Sequence, residues 1–307
     1  MIYAVHHLLT LPAALAAMLV MSRSRRAWRA PRTSLVIWQA IGASLVLSGI
    51  GTAVALGLAP YRLGVVPALV AFAGDAARGD LPAALTPVHL LLTACGLAVA
   101  GWLALALLRS ARAVAALRRR QRTLLALIAR PHPDQRDALV VEHPAVTAYC
   151  LPGRRSAIVV STGSLDLLTG LEFQAVLAHE RAHARERHDL VLLPFAALHR
   201  ALPASRRVRD MLDAVALLVE MRADDRAARD SDRLTLATAL RRFHTCEHLP
   251  APPGTLAATG HNTRRDLDAR IARLTTPPRT SRPARVLLLL IALTVTSTPL
   301  SLFLLPM

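Results

Sequence analysis

At 307 residues the chain can hold one or two ordinary domains, and 53% hydrophobic residues with a positive mean hydropathy place a membrane protein ahead of a soluble one. The formal charge of +17 would direct a soluble protein toward nucleic acid, but arginine at membrane boundaries sets topology and attracts anionic lipid, so direct nucleic-acid binding is not expected. Every basic residue is arginine rather than lysine, and Cys95, Cys150 and Cys246 form no C-x-x-C pair, so disulfides are not expected either.

Four apolar stretches approach or reach the ~20 residues that cross a hydrocarbon layer. They run from about 2 to 21, 34 to 58 and 87 to 108, and from Val286 to Leu305. The first is followed, not preceded, by its basic cluster, which suits a retained segment rather than a cleaved signal. Arg23, Arg25, Arg26, Arg29 and Arg32 fill the first loop, whereas Ala59 to Thr86 carries only Arg62 and Arg78 against Asp75 and Asp80. The positive-inside rule then makes the first loop cytoplasmic and the second external. Arg109, Arg112 and Arg118 to Arg120 after the third stretch, and Arg279, Arg282 and Arg285 before the fourth, agree with that topology, which leaves both termini external. Within the spans, His6, His7 and His89 read as interface anchors. In the second loop the apolar run Val65 to Ala73 can pack against the membrane surface.

The predicted domains are therefore 1–109 with three spans, 110–284 as a cytoplasmic domain, and 285–307 with the fourth span. The cytoplasmic domain opens with a helical stretch from Ala111 to Ala129 that continues the third span and is broken by "RPHPDQRD". Three short strands follow in "ALVVEH", "VTAYCL" and "SAIVVS", the last two joined by a turn at Pro152 to Arg155. Cys150 reads as a small buried strand residue. Thr169 and Glu172 form a capping-box pattern, so a helix starts near Gly170 and runs through His183. Leu190 to Leu202, interrupted at Pro194, is too short to span and reads as a buried helix. A further helix covers about Ser205 to Arg229. The stretch Pro250 to Thr263 and the "HTCEH" run at His244, Cys246 and His248 read as loop, and "RRDLDARIARL" as a short amphipathic helix.

"HERAH" from His179 to His183 matches H-E-x-x-H. Residues four apart share a helix face, so both imidazoles can reach one zinc ion while Glu180 approaches a water there. Zinc lowers the pKa of such a water and a carboxylate can take its proton, the chemistry of metal-assisted amide hydrolysis. A third protein ligand is required, and Glu220 in "EMRADD" is the candidate, with Asp224 one turn on to orient a ligand. The bland alternative is a surface carboxylate paired with arginine. Glu186 is nearer in sequence but suits the neighbouring arginines, and His188 falls off the metal-facing stripe.

At these residues the sequence resembles the BlaR/MecR-type integral-membrane metallopeptidases. The resemblance covers nearly the whole chain and is carried by the four-span layout, "AYCLPGRRSAIVVSTGSLDLL", "VLAHERAHARERHDL", "EMRADDRAAR" and "RIARLTTPP". It implies a gluzincin with His179, His183 and Glu220 as ligands of one zinc ion per chain, Glu180 as general base and Asp224 in the supporting position. It also implies a protein substrate at the cytoplasmic face of a bacterial membrane, such as a repressor or the peptidase itself. The β-lactam sensors of that family carry a penicillin-binding domain after the last span, and this sequence stops at Met307, so the resemblance supports the peptidase and not the β-lactam signal. CAAX-processing and HtpX-like membrane peptidases are the nearest competing assignment, and a non-catalytic scaffold is the competing class. The fold class expected is a mainly α membrane protein, with four transmembrane helices and a cytoplasmic α+β zincin-like domain between the third and fourth.

Overall fold

The computed structural model describes residues 2–153, 156–245, 263–278 and 282–304. The chain divides into two units, Met1–Ala106 with Thr280–Met307, and Leu107–Arg279.

The first unit is helical. It holds α1 (Ile2–Arg23), α2 (Pro31–Gly57), α3 (Val65–Arg78), the start of α4 (Pro87–Ile128), and α11 (Arg282–Leu304). Pro31 and Pro87 open their helices, where a missing N–H costs nothing. One face of α2, stepping through Ser34, Trp38, Ile41, Ser44, Ser48 and Gly51, is buried against α1 and α11. Small residues permit that approach: a Cβ at Gly51 would stand 2.6 Å from the His7 ring, and one at Gly57 would meet the Thr93 side chain and the His89 carbonyl. His7 is not an interface anchor. It is fully buried, edge-on to Phe303, and neither ring nitrogen has a hydrogen-bond partner among the described residues.

The outward faces are apolar, with Leu9 65%, Val20 67%, Val70 68% and Leu91 64% exposed. Spread over a soluble unit, such residues would make an aggregation-prone surface. Val5–Arg23, Pro31–Gly57 and Pro87–Ile128 are long and apolar enough to cross a membrane, and the fourth expected span forms α11. The stretch between Ala59 and Thr86 is more ordered than a loop. It contains α3, whose Val65 and Ala68 pack on Val54 and Leu58 of α2 and its end, and Gly79 stops the helix in the left-handed region at φ 72°.

In the second unit α4 runs without a break to Ile128 and passes directly into β1 (Ala129–Pro131), a strand that the sequence reading missed. With β2 (Ala138–Val141), β3 (Ala148–Leu151) and β4 (Ala157–Ser161) it forms a sheet in the order β1-β2-β4-β3. β2 and β4 are parallel and the outer pairs antiparallel. Pro131 is tolerated because β1 is an edge. Cys150 on β3 is buried, and burial pushes its thiol up, so it is a packing residue.

After a short helix, α5 (Thr162–Leu167), comes α6 (Gly170–Arg185). Its start is the capping box: Glu172 N–H donates to Thr169 Oγ1, and Thr169 N–H donates to Glu172 Oε2. One side of α6, Phe173, Val176 and Leu177, packs on Ile158 and Val160 of β4. The other side presents Ala175 and Ala178 to Ala227 of α8 (Arg206–Ala227), Leu236 of α9 (Arg233–Thr245) and Leu274 of α10 (Arg264–Thr275). At about 2 kcal/mol for each large apolar side chain removed from water, this two-sided burial makes α6 the axis of the unit. α7 (His188–Ala201) runs through Pro194 without a break and buries Leu192, Phe195 and Ala197, so the expected interruption does not occur. Ser205 caps α8 by accepting from Val208 N–H. Cys246, His248 and the Pro250 to Asn262 part of the expected loop lie outside the described residues; His244 falls in α9.

Candidate metal centre

The α6 axis carries the H-E-x-x-H run on the side facing α8, and the helix period sets His179 and His183 one turn apart. Their Nε2 atoms are 3.1 Å from each other. Glu220 projects from α8 to the same point, Oε2 lying 3.4 Å from His179 Nε2 and Oε1 3.5 Å from His183 Nε2. These three residues are the group among the described residues whose ligand atoms converge to within 4.8 Å. Both rings are buried, whereas the Glu220 side chain keeps 22% of its surface exposed, so the cluster opens to solvent on its carboxylate side. Glu180 is half-buried beside it.

The far nitrogens distinguish a ligand set from a chance huddle. His179 Nδ1 lies 3.0 Å from Asp224 Oδ1, and His183 Nδ1 lies 3.0 Å from His188 Nδ1. A ring that offers Nε2 as a lone pair carries its proton on Nδ1; His179 Nδ1 then faces the Asp224 carboxylate, and His183 Nδ1 faces a nitrogen that accepts when His188 carries its proton on Nε2. Two imidazoles turned this way, plus a carboxylate, are the donor set zinc takes in three-ligand sites. The residues therefore fit the metal.

Asp224 is itself held, and His188 stands near a second carboxylate. Arg270 from α10 donates Nε and Nη2 to the two Asp224 oxygens at 2.8 Å each, and its Nη1 is 3.0 Å from Glu220 Oε2. On the other side His188 Nε2 stands 3.5 Å from Glu186 Oε2, and Arg222 clamps Glu186 through Nε at 2.7 Å and Nη2 at 2.5 Å. Glu186 thus points away from the convergence point and into a guanidinium, while Asp224 sits behind His179.

Charge follows from these contacts. Burial opposes ionisation of Glu220 and Asp224, but the Arg270 guanidinium together with the neighbouring histidines outweighs it, holding Glu220 well below the usual carboxylate range and Asp224 at about 2. Burial pushes His183 down, and although burial opposes protonation of His179 too, Asp224 and Glu220 outweigh it. Glu180 differs: burial pushes it up to about 7, with Glu220 adding to the rise, against His179 and a hydrogen bond from the Cys150 backbone. A carboxyl poised near neutrality beside a ligand cluster is suited to accepting and returning a proton.

Two residues of this arrangement were not anticipated. His188 was set aside by extending the α6 face, but α6 ends at Arg185 and Arg187 adopts a left-handed conformation, φ 49°, which turns the chain so that His188 opens α7 against His183. Arg270 had a signal in "RIARL": it sits among Ile271 and Leu274 on the buried face of an amphipathic helix, where an arginine needs a partner.

No curated protein and no solved structure matches the chain. The sequence model of Peptidase family M48 matches residues 111–276, from the middle of α4 to just past α10, and so takes in the whole converging cluster and both its supports. M48 peptidases are zinc-dependent. As the match covers more than half of the 307 residues, the chain belongs to peptidase family M48.

Proposed function

We propose that this protein is a membrane-bound zinc metalloendopeptidase that cuts a cytoplasmic protein near the inner face of a bacterial membrane. The observation that carries the reading is the convergence of His179, His183 and Glu220 with Glu180 alongside, within the segment matched by the M48 family. In this reading His179, His183 and Glu220 hold one zinc ion. When bound, the metal supplies Lewis acidity toward a water and a substrate carbonyl. Glu180 takes a proton from the attacking water at its carboxylate and delivers it to the departing amine. Asp224 fixes the His179 ring through Nδ1, and Arg270 fixes Asp224 and Glu220 together.

The finer role is regulated proteolysis, of a repressor-like protein or of the peptidase itself. Support for it is the BlaR/MecR-type resemblance, which the family match neither repeats nor opposes. A quality-control peptidase of the HtpX-like kind is the second reading, favoured by the same site without the signalling role. Four spans, external termini and a cytoplasmic catalytic unit rest on the charge contrasts, with three apolar helices of spanning length in support.

The test is metal analysis beside a cleavage assay on the full chain. Glu180→Gln is expected to retain about one zinc per chain while cleavage falls by at least ~100-fold. Undiminished cleavage by the glutamine variant would remove Glu180 from the mechanism.

A further inference from the structure

The groups behind His183 form a chain that crosses three helices. His188, the first residue of α7, faces His183 Nδ1 with its own Nδ1 at 3.0 Å. Its other ring nitrogen, Nε2, is buried and has no close hydrogen-bond partner among the described residues. The carboxylate beside it is Glu186, whose Oε2 stands 3.5 Å away. Glu186 is the C-cap residue of α6. Arg222, two residues beyond Glu220 on α8, closes on its two oxygens at 2.7 and 2.5 Å.

Two imidazole nitrogens 3.0 Å apart hold one proton between them. If His183 carries it, His183 Nε2 is a lone pair free to reach the point shared with His179 and Glu220, and His188 has its proton on Nε2. If His188 carries it, the His183 proton moves to Nε2 and covers the lone pair that a metal needs. Both arrangements hold the same number of protons, so the choice is one of tautomer and not of charge. In the first, His188 Nε2–H is a buried donor that requires an acceptor, and the Glu186 carboxylate is placed to meet it. In the second, a bare nitrogen lone pair faces that same carboxylate, which is repulsive.

We infer that Glu186, held by Arg222, is a positioning residue for the metal centre: its carboxylate selects the Nε2–H tautomer of His188, which turns the His183 Nε2 lone pair toward the metal. The inference rests on the metal reading of His179, His183 and Glu220 and deepens it. On the opposite side Asp224 meets His179 Nδ1 directly, and a carboxylate accepts in any state in which it is ionised. Here a second imidazole intervenes, and an imidazole accepts at a given nitrogen in only one tautomer. The competing role is a staple, in which Arg222 and Glu186 simply join α8 to the end of α6.

A double-mutant cycle on the detergent-solubilised full chain separates the two roles, with zinc affinity read by competition with a chromogenic chelator and folding by thermal unfolding of the metal-free protein. Glu186→Gln keeps the size and an oxygen for Arg222 but removes the charge, and is expected to weaken zinc binding about tenfold. Combined with His188→Asn, whose amide oxygen accepts from His183 without a tautomer to select, the same change should cost less than about twofold. Arg222→Lys, a milder variant that keeps a cation on Glu186, should weaken zinc about threefold, again only where His188 is present. Nitrogen NMR of the zinc-loaded chain with labelled histidine should show His188 protonated at Nε2. Equal losses with and without His188 would make the pair a staple and overturn the inference, as would the Nδ1-protonated tautomer. A wild type that binds no zinc would remove the metal reading itself, whereas a zinc-binding wild type indifferent to Glu186→Gln would remove only the role given to Glu186.

Discussion

In both His179 and His183 one ring nitrogen faces Glu220 and the other a supporting group, and that division explains which substitutions should matter. Neither His188 nor Arg270 belongs to the converging trio, yet His188 stands against the His183 ring and Arg270 binds Asp224 and Glu220. His188→Ala and Arg270→Ala are each expected to weaken zinc binding by about 10–100-fold, measured by competition with a chromogenic chelator. His188→Asn, which keeps an acceptor for the His183 Nδ1 proton, should recover part of the loss. Unchanged zinc affinity with lowered thermal stability would make both residues merely structural. The ligand cluster was legible because its parts are local: four-residue spacing within one helix and a glutamate on the next long one. His188 and Arg270 were not, because one depends on a left-handed residue at Arg187 and the other on a contact between distant helices.

Among the elements, the α1–α2 contact leaves little room. A Cβ at Gly51 overlaps the His7 ring, which is already enclosed on all sides. Gly51→Ala should therefore destabilise the detergent-solubilised protein by ~1–3 kcal/mol, the range for overpacked interiors, read from thermal unfolding. In a His7→Ala background the same change should cost little, since the two side chains compete for one space. Additive effects would show that the glycine serves the backbone rather than the imidazole. Long elements with a clear period, α2, α6 and α8, could be read from sequence within a few residues. β1 escaped because three residues ending in proline carry no alternation, and α3 because its apolar run was taken as surface-seeking rather than as a face for Val54 and Leu58. Pro194 misled in the other direction, since α7 absorbs it.

For the whole molecule, the expected topology comes from arginine distribution alone, and it can be tested alone. Reporter fusions at Thr86 and Pro250 should give external activity at the first and cytoplasmic activity at the second. An external signal at Pro250 would invert the arrangement and move the substrate search to the cell envelope. The fold of the catalytic unit has a consequence of another kind. Arg270 closes on Asp224 across 46 residues of sequence, and Arg273 clasps Asp225 in the same way at 2.6 and 2.7 Å. Synthesis proceeds from the N-terminus, so His179, Glu180, His183 and Glu220 all emerge before the helix that steadies them. A half-made chain carries these four residues without the Arg270 guanidinium that meets Asp224 and Glu220. In the proposed reading the contacts around Glu220 and Asp224 are complete only once α10 has been made.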